Sequence, residues 1–576
     1  MNRLDHAVIA ALVLALAVIA VAIGMPAVTP TTATATPTPI PVPEVPPYRE
    51  GALGRPFSIN PLAARTQVDR DLVSLVFGGL TRLGPDGALV PDLASRWTVD
   101  ETGKTWTFTI RSDARWHDGE PVIAGDVVYT VDVMRDPAYT GPGAGSWREV
   151  TAVELDPRTV RFDLATPLGG FDRLTTQAIA PAHLLRGTPV ESLADSPFGR
   201  TPVGSGPFEI AELDDDHAVL EPAAGDSAAV PPGGVSTPGA TDPLATPRPT
   251  RRPTVALPQL ARLEFSFFDD PTTLADAFRA GEVDAASGLS PADAAALAAT
   301  DGARALRYPG TTMTAVILNL RPSHPELRDP AARAALLAAI DRDAAIAEAY
   351  GGLAVRADSP IPPTSWAFDA TASPPTAHDP VAAANALTKA GWTKVDDRLR
   401  PPGATTAYTV ELVVPDASMN ATLGAASEQV AGDWEALGLS VELVEAAPGS
   451  FVSDYLREGE FTAAVIDVSI GHDPDVYPLL ASSQTQSGGL NVMGLQDATL
   501  DGLLAAARRP GTDEARKAAY TALQTQLTAG RYILPIAFAD EVVVVRDELE
   551  GPVVQPIADP SERFWDVLTW RLANDR

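Results

Sequence analysis

The order of strand and helix signals between Tyr408 and Val468 restricts the fold more than any other feature of this 576-residue chain. Tyr408 to Val414 reads as a strand, Ala421 to Leu437 as a helix stopped by Gly438, and Ser440 to Glu445 as a second strand. Phe461 to Val468 follows as a third, after a short helix. Strands that alternate with helices in this way need right-handed crossovers and form a largely parallel sheet, which receives ligands beyond the carboxyl ends of its strands. Upstream, Asp329 is placed to cap a helix that opens at Pro330. The Ala-rich run after it puts Leu336 and Ile340 on one face, and Gly351-Gly352 should stop it. Asp379-Pro380 and Gly391 bracket another helix.

The first half of the chain has a different period. Trp106, Phe108 and Ile110 alternate with Thr105, Thr107 and Thr109, the mark of a half-buried strand. Val150 to Leu155 and Thr159 to Leu164 flank Asp156-Pro157-Arg158 and predict a hairpin, so this half should be rich in antiparallel sheet. The length exceeds what one core supports, and two or more folding units are expected.

Two segments cannot contribute to a core. Residues 26–47 hold eight prolines and six threonines and read as an extended tether. Ala223 to Pro258 has eight prolines with Gly, Ser and Thr, and reads as a disordered insertion within a domain. Before the tether, Ala7 to Met25 is a 19-residue run without a charge, preceded by Arg3. It is long enough to span a bilayer as a signal anchor, with a cleaved signal peptide (residues 1–25) as the alternative; everything after it is exported in either case.

Charge and composition exclude several classes. The balance of 74 acidic against 43 basic residues, a formal net charge of -31, argues against nucleic acid as a partner. The chain has no cysteine, so disulfides, thiolate metal sites and thiol nucleophiles are ruled out. Seven scattered histidines lack metal-binding spacing, and His117 beside a turn reads as a structural hydrogen-bonder. Gly103-Lys104-Thr105 mimics the end of a phosphate-binding loop but lacks its first glycine and leads into a strand. Asp214-Asp215-Asp216 reads as a solvated turn, and no Gly-x-Ser-x-Gly elbow occurs. No catalytic residue, metal site or cofactor is expected.

Three groups of phrases, in matching order and spacing over roughly Phe57 to Leu549, resemble the family 5 solute-binding proteins of ABC importers. The first runs from Leu75-Val76-Phe77-Gly78-Gly79-Leu80 through Gly87 to Trp97, Gly103 to Arg111 and Trp116 to Pro121, and ends at Gly125-Asp126-Val127-Val128. The second is Pro202 to Phe208. The third comprises Ile317-Leu318-Asn319, Leu327-Arg328-Asp329, Ala339 to Asp343 and Gly351 to Pro363. The resemblance implies an α/β two-lobed, Venus-flytrap fold with mixed sheets. Lobe 1 would span residues 48–307 and be completed by residues 536–576, with lobe 2 over 308–535. Chain crossings fall near Tyr308 to Val316 and Ile533 to Asp540.

It further implies a monomeric, extracytoplasmic receptor that encloses a peptide or other small polar solute between its lobes and presents it to an ABC permease, performing no chemistry. A ligand sensor or structural surface protein on the same fold is the alternative, ahead of a surface hydrolase. Two departures from the family stand out. The lipid-modified cysteine is missing, and Ile470 in Asp467 to Pro474 occupies the place where peptide-binding members present an aspartate to the ligand's amino terminus. Candidate ligand contacts are Asp467, Val468 and Ser469 at a strand's carboxyl end, Phe77 in the first phrase, and Asn491 in a phrase resembling the family's Asn-x-x-Gly element.

Overall fold

The computed structural model describes residues 46–223, 260–416, 420–486 and 489–573. The apolar run at 1–25, the tether as far as residue 45 and, apart from Ala223, the insertion at 223–258 lie outside the described residues. Among those described, no helix is long and apolar enough to cross a membrane.

The first lobe opens with β1 (Tyr48–Leu53) and α1 (Gln67–Val76), whose start is fixed by a capping box between Thr66 and Asp69. β2 (Ala94–Val99), β3 (Thr105–Ile110), α2 (Ala124–Arg135), β4 (Val150–Asp156) and β5 (Thr159–Leu164) follow, the strands forming an antiparallel sheet in the order β2-β3-β5-β4. The period-two pattern of β3 turns Trp106, Phe108 and Ile110 into the core, where Phe108 meets Phe162 edge-on with centroids 5.5 Å apart. A second set comprises β6 (Phe208–Leu213), β7 (His217–Pro222), β8 (Leu263–Phe268), α3 (Pro271–Ala280), β9 (Ala285–Ser287) and α4 (Pro291–Ala298). Here β6, β7 and β8 pair antiparallel as expected, and β1 alone departs, running parallel to both β8 and β9.

The second lobe is built on β10 (Ala303–Leu318), α5 (Pro330–Ala339), α6 (Arg342–Tyr350), β11 (Ala354–Arg356), α7 (Pro380–Lys389), β12 (Thr409–Pro415), α8 (Ala421–Leu437), β13 (Ser440–Ala446), β14 (Ala463–Ser469), α9 (Ala498–Ala507), α10 (Asp513–Gly530) and β15 (Ile533–Arg546). As the β-α-β order requires, β12 is parallel to β13 and to β14. The single helix expected after Asp329 is two. Ile340 turns extended (φ -79, ψ 122) and the Asp341 carboxylate caps the Ala344 N–H, which starts α6.

One eleven-stranded sheet runs through both lobes in the order β13-β12-β14-β10-β15-β9-β1-β8-β7-β6, with β11 paired to β15. β10 and β15 are long enough to serve both sides. Ala303 to Pro309 pairs with Asp540 to Arg546 in the first lobe, and Met313 to Ile317 with Ile533 to Phe538 in the second. The ladder is interrupted between them. There the Thr311 N–H bonds the Ile557 carbonyl, the Ile557 N–H bonds Pro309, and the Ile470 N–H bonds Thr311.

Each side has its own core, one around Phe108, Phe162 and Phe265 and another around Val316, Trp434 and Tyr520; a smaller cluster lies under α3. The 3₁₀ segment Pro560–Thr569 returns the chain to the first lobe. Its Arg563, 2 % exposed, donates to both carboxylate oxygens of Asp71 (2.9 and 2.7 Å) and to Glu50 (2.7 Å). A buried charge must be matched in this way, because isolated it costs several kcal/mol.

Candidate functional site

β12 and β14 point their carboxyl ends at the junction of the lobes, and α8 begins beside them. Asp467 lies two residues before the end of β14, paired in register with Thr314 of β10. Its side chain is exposed, with Oδ1 accepting from the Thr314 hydroxyl at 2.5 Å and Oδ2 from the Asn420 side-chain amide at 3.2 Å. The Thr314 hydroxyl also meets the Tyr350 hydroxyl at 2.6 Å. Desolvation by the surrounding protein pushes the Asp467 carboxyl up, opposed by these two hydrogen bonds. Among the described residues no Arg or Lys forms an ion pair with it.

Val468 and Ser469 complete the strand end, Val468 half-buried against the second-lobe core and Ser469 exposed. Ile470, the residue in the aspartate's place, is 8 % exposed and joins that core, so no acid is presented there.

The other two candidates stand elsewhere. Phe77 is 4 % exposed and packed within the first-lobe core, its ring 6.2 Å from Phe198. The phrase around it is tight for a backbone reason. Ser205 and Gly206 both donate N–H to the Val76 carbonyl (3.0 and 2.8 Å), and a Cβ at Gly204 would lie 1.9 Å from that oxygen. Asn491 is 2 % exposed, and its amide donates to the carbonyls of Leu480, Ala481 and Leu495 while its oxygen accepts from the Leu495 N–H. Both polar atoms of the side chain are engaged by the loop.

His117 is held by the Gly204 N–H on Nδ1 (3.3 Å) and faces the Gly206 carbonyl through Nε2 (3.0 Å). Burial lowers its pKa, and the neutral ring acts as a backbone clamp. No group of three His, Asp or Glu that could hold a metal occurs among the described residues.

Sequence reasoning missed Glu541, on β15 beside the crossing. It is half-buried, and burial pushes its carboxyl up to about 7, with Arg563 opposing and Asp71 and Asp559 adding to the effect. An acid at the head of the run Val542 to Val545 was the available signal.

Two lobes on one mixed sheet, joined by paired crossing strands, have the fold of the periplasmic-binding-protein class. The chain belongs to the bacterial extracellular solute-binding proteins, family 5, whose pattern it matches over residues 88–489. It is 24 % identical over 499 residues to the dipeptide-binding protein of Escherichia coli (strain K12), covering 81 % of this chain and 84 % of that one. The oligopeptide-binding protein AppA from Bacillus subtilis, solved with a nonapeptide, superposes with a TM-score of 0.69 at 20 % identity, over 92 % of this chain and 100 % of that chain. NikZ from Campylobacter jejuni, solved with Ni(L-His), superposes with a TM-score of 0.67 at 21 % identity, over 91 % and 99 %. The protein is therefore an extracytoplasmic solute-binding receptor of an ABC importer and not an enzyme.

Proposed function

We propose that this receptor captures one small polar or amphipathic solute, peptide-like or otherwise, between lobe 1 (48–307 with 536–576) and lobe 2 (308–535). Asp467, Val468 and Ser469 form part of the contact surface. The closed monomer is then presented to the permease, tethered to the outer face of the membrane by residues 1–25. The observation that carries the reading is Asp467: an exposed carboxylate at the carboxyl end of β14 whose partners among the described residues are the neutral donors Thr314 and Asn420. A ligand amine or hydroxyl would complete its shell. Because Ile470 offers no charge, a free dipeptide cannot be gripped by its ammonium group at that position.

The experiment is native mass spectrometry of the exported body to identify co-purified solute, followed by titration of that solute into wild type and Asp467→Ala. A hydrogen bond to a charged group is worth about 1.5–3 kcal/mol, so affinity should fall by one to two orders of magnitude. The unliganded melting temperature should hardly change. Equal affinities, or a solute chemically converted on incubation, would remove Asp467 or the receptor reading respectively.

A further inference from the structure

The two side chains that bond Asp467 are each fixed so that they can only donate to it. Asn420 is fixed by the helix it starts. Its side-chain oxygen accepts from the Leu423 N–H at 2.9 Å, which turns the amide NH2 toward Asp467 Oδ2. Thr314 is fixed from behind. Its hydroxyl, on a residue 2 % exposed, stands between Asp467 Oδ1 at 2.5 Å and the Tyr350 hydroxyl at 2.6 Å. Tyr350 on α6 is 3 % exposed, and Thr314 is the partner of its hydroxyl among the described residues.

A phenol carries one proton, and a buried donor without an acceptor is costly. Tyr350 therefore donates to Thr314, and Thr314 donates to Asp467. The opposite order fails. A protonated Asp467 donating to Thr314 would turn the threonine proton onto Tyr350 and strand the tyrosine proton against the second-lobe core. Asn420 offers no relief, because its oxygen is spent on the helix cap. The carboxyl is thus held as an ionised acceptor at both oxygens, by neutral groups from β10, α6 and the head of α8. A solute hydroxyl would add a bond and leave the charge unmatched; a cationic donor supplies both.

We propose that Thr314 and Tyr350 are positioning residues that, with Asn420, keep Asp467 an acceptor only, so that the site takes its solute by an ammonium or guanidinium group and refuses an acidic one there. The proposal rests on the reading of Asp467 as a ligand contact. Carbon-13 NMR of the protein labelled at its aspartate carboxyls follows the group directly, with Asp467→Asn to identify the resonance. Thr314→Val keeps the side chain's shape and deletes the hydroxyl. It should move the Asp467 titration to higher pH, and Thr314→Ser should restore it. Tyr350→Phe leaves the Thr314 hydroxyl a weaker donor and should move the titration the same way by less.

The wild type alone supplies the second measurement. Methylammonium and methylguanidinium titrated in at neutral pH should shift the Asp467 resonance, and acetate should not. An Asp467 titration that ignores both Thr314→Val and Tyr350→Phe would overturn the proposal. So would a resonance moved by acetate, or by neither cation. The contact reading still stands after any of these if Asp467→Ala weakens the co-purified solute; equal affinities there would remove the contact itself.

Discussion

Arg563→Ala tests whether the C-terminal segment is an integral part of the first lobe. The substitution strands Glu50, 0 % exposed, and Asp71, 3 % exposed, in the interior without their cation. Breaking a buried pair by removing one partner costs about 3–5 kcal/mol. The lower end applies here, because Tyr48 (2.7 Å) and Ser287 (2.6 Å) still donate to Glu50 and Gln67 (2.7 Å) still donates to Asp71. The assay is urea unfolding of wild type and variant at neutral and mildly acidic pH. Burial already pushes the Asp71 carboxyl up, and loss of the guanidinium, which opposes that push, raises it further. The deficit is then full at neutral pH and shrinks as the pH falls and the orphaned carboxyl takes a proton. Arg563→Lys should fall between the two, since an ammonium keeps the charge without the fork. A loss below about 1 kcal/mol at neutral pH, the scale of an exposed pair, would refute the reasoning. A loss of full size that ignores pH would assign the effect to packing over Phe564, whose ring centroid is 4.1 Å away.

Glu541, with its carboxyl raised from 4.5 to about 7, holds its proton to higher pH in the folded state than in the unfolded chain. Its penalty is absent below 4.5 and stability is lost as the pH climbs through about 7. Glu541→Gln should therefore gain at most about 3 kcal/mol at alkaline pH and nothing at acidic pH; melting curves that keep the wild-type pH dependence would count against it. Asn491→Ala strips four hydrogen bonds from buried backbone groups and should cost about 2–3 kcal/mol in chemical denaturation while leaving solute affinity intact. Weaker binding at full stability would return Asn491 to the site.

What the sequence revealed was whatever depends on neighbours in the chain. α8 runs from Ala421 to Leu437 as its pattern predicts and stops at Gly438, whose φ of 113 suits glycine. The strands that flank it pair in parallel for the same topological reason. The break at Ile340 was hidden because the Ala-rich run on either side keeps helical propensity, and only the Asp341 cap disagrees with it. Asp467 could be located because the end of a strand can be read locally. The burial of Phe77 is not legible in this way, since it packs beside Phe198, far along the chain, and neither is the convergence of three separate carbonyls on Asn491. Asp473 and Arg516 are 43 residues apart, and no short pattern announces such a pair.

The interruption of the ladder at residues 310–312 bears on how much information this receptor can convey. A hydrogen-bonded strand pair resists bending, so two lobes that share a sheet can turn only where that pairing lapses. Here the lapse falls between Pro309 and Met313 of one crossing strand, against Phe538 to Asp540 of the other. An added Cβ at Gly310 would lie 2.2 Å from the Ala539 carbonyl oxygen, so the two backbones pivot almost in contact. The bonds that fill the gap come from Ile557 and Ile470, one from each side. A turn confined to this gap is described by a single angle. A permease docking across both lobes would then read that one variable, whatever the chemistry of the solute that set it.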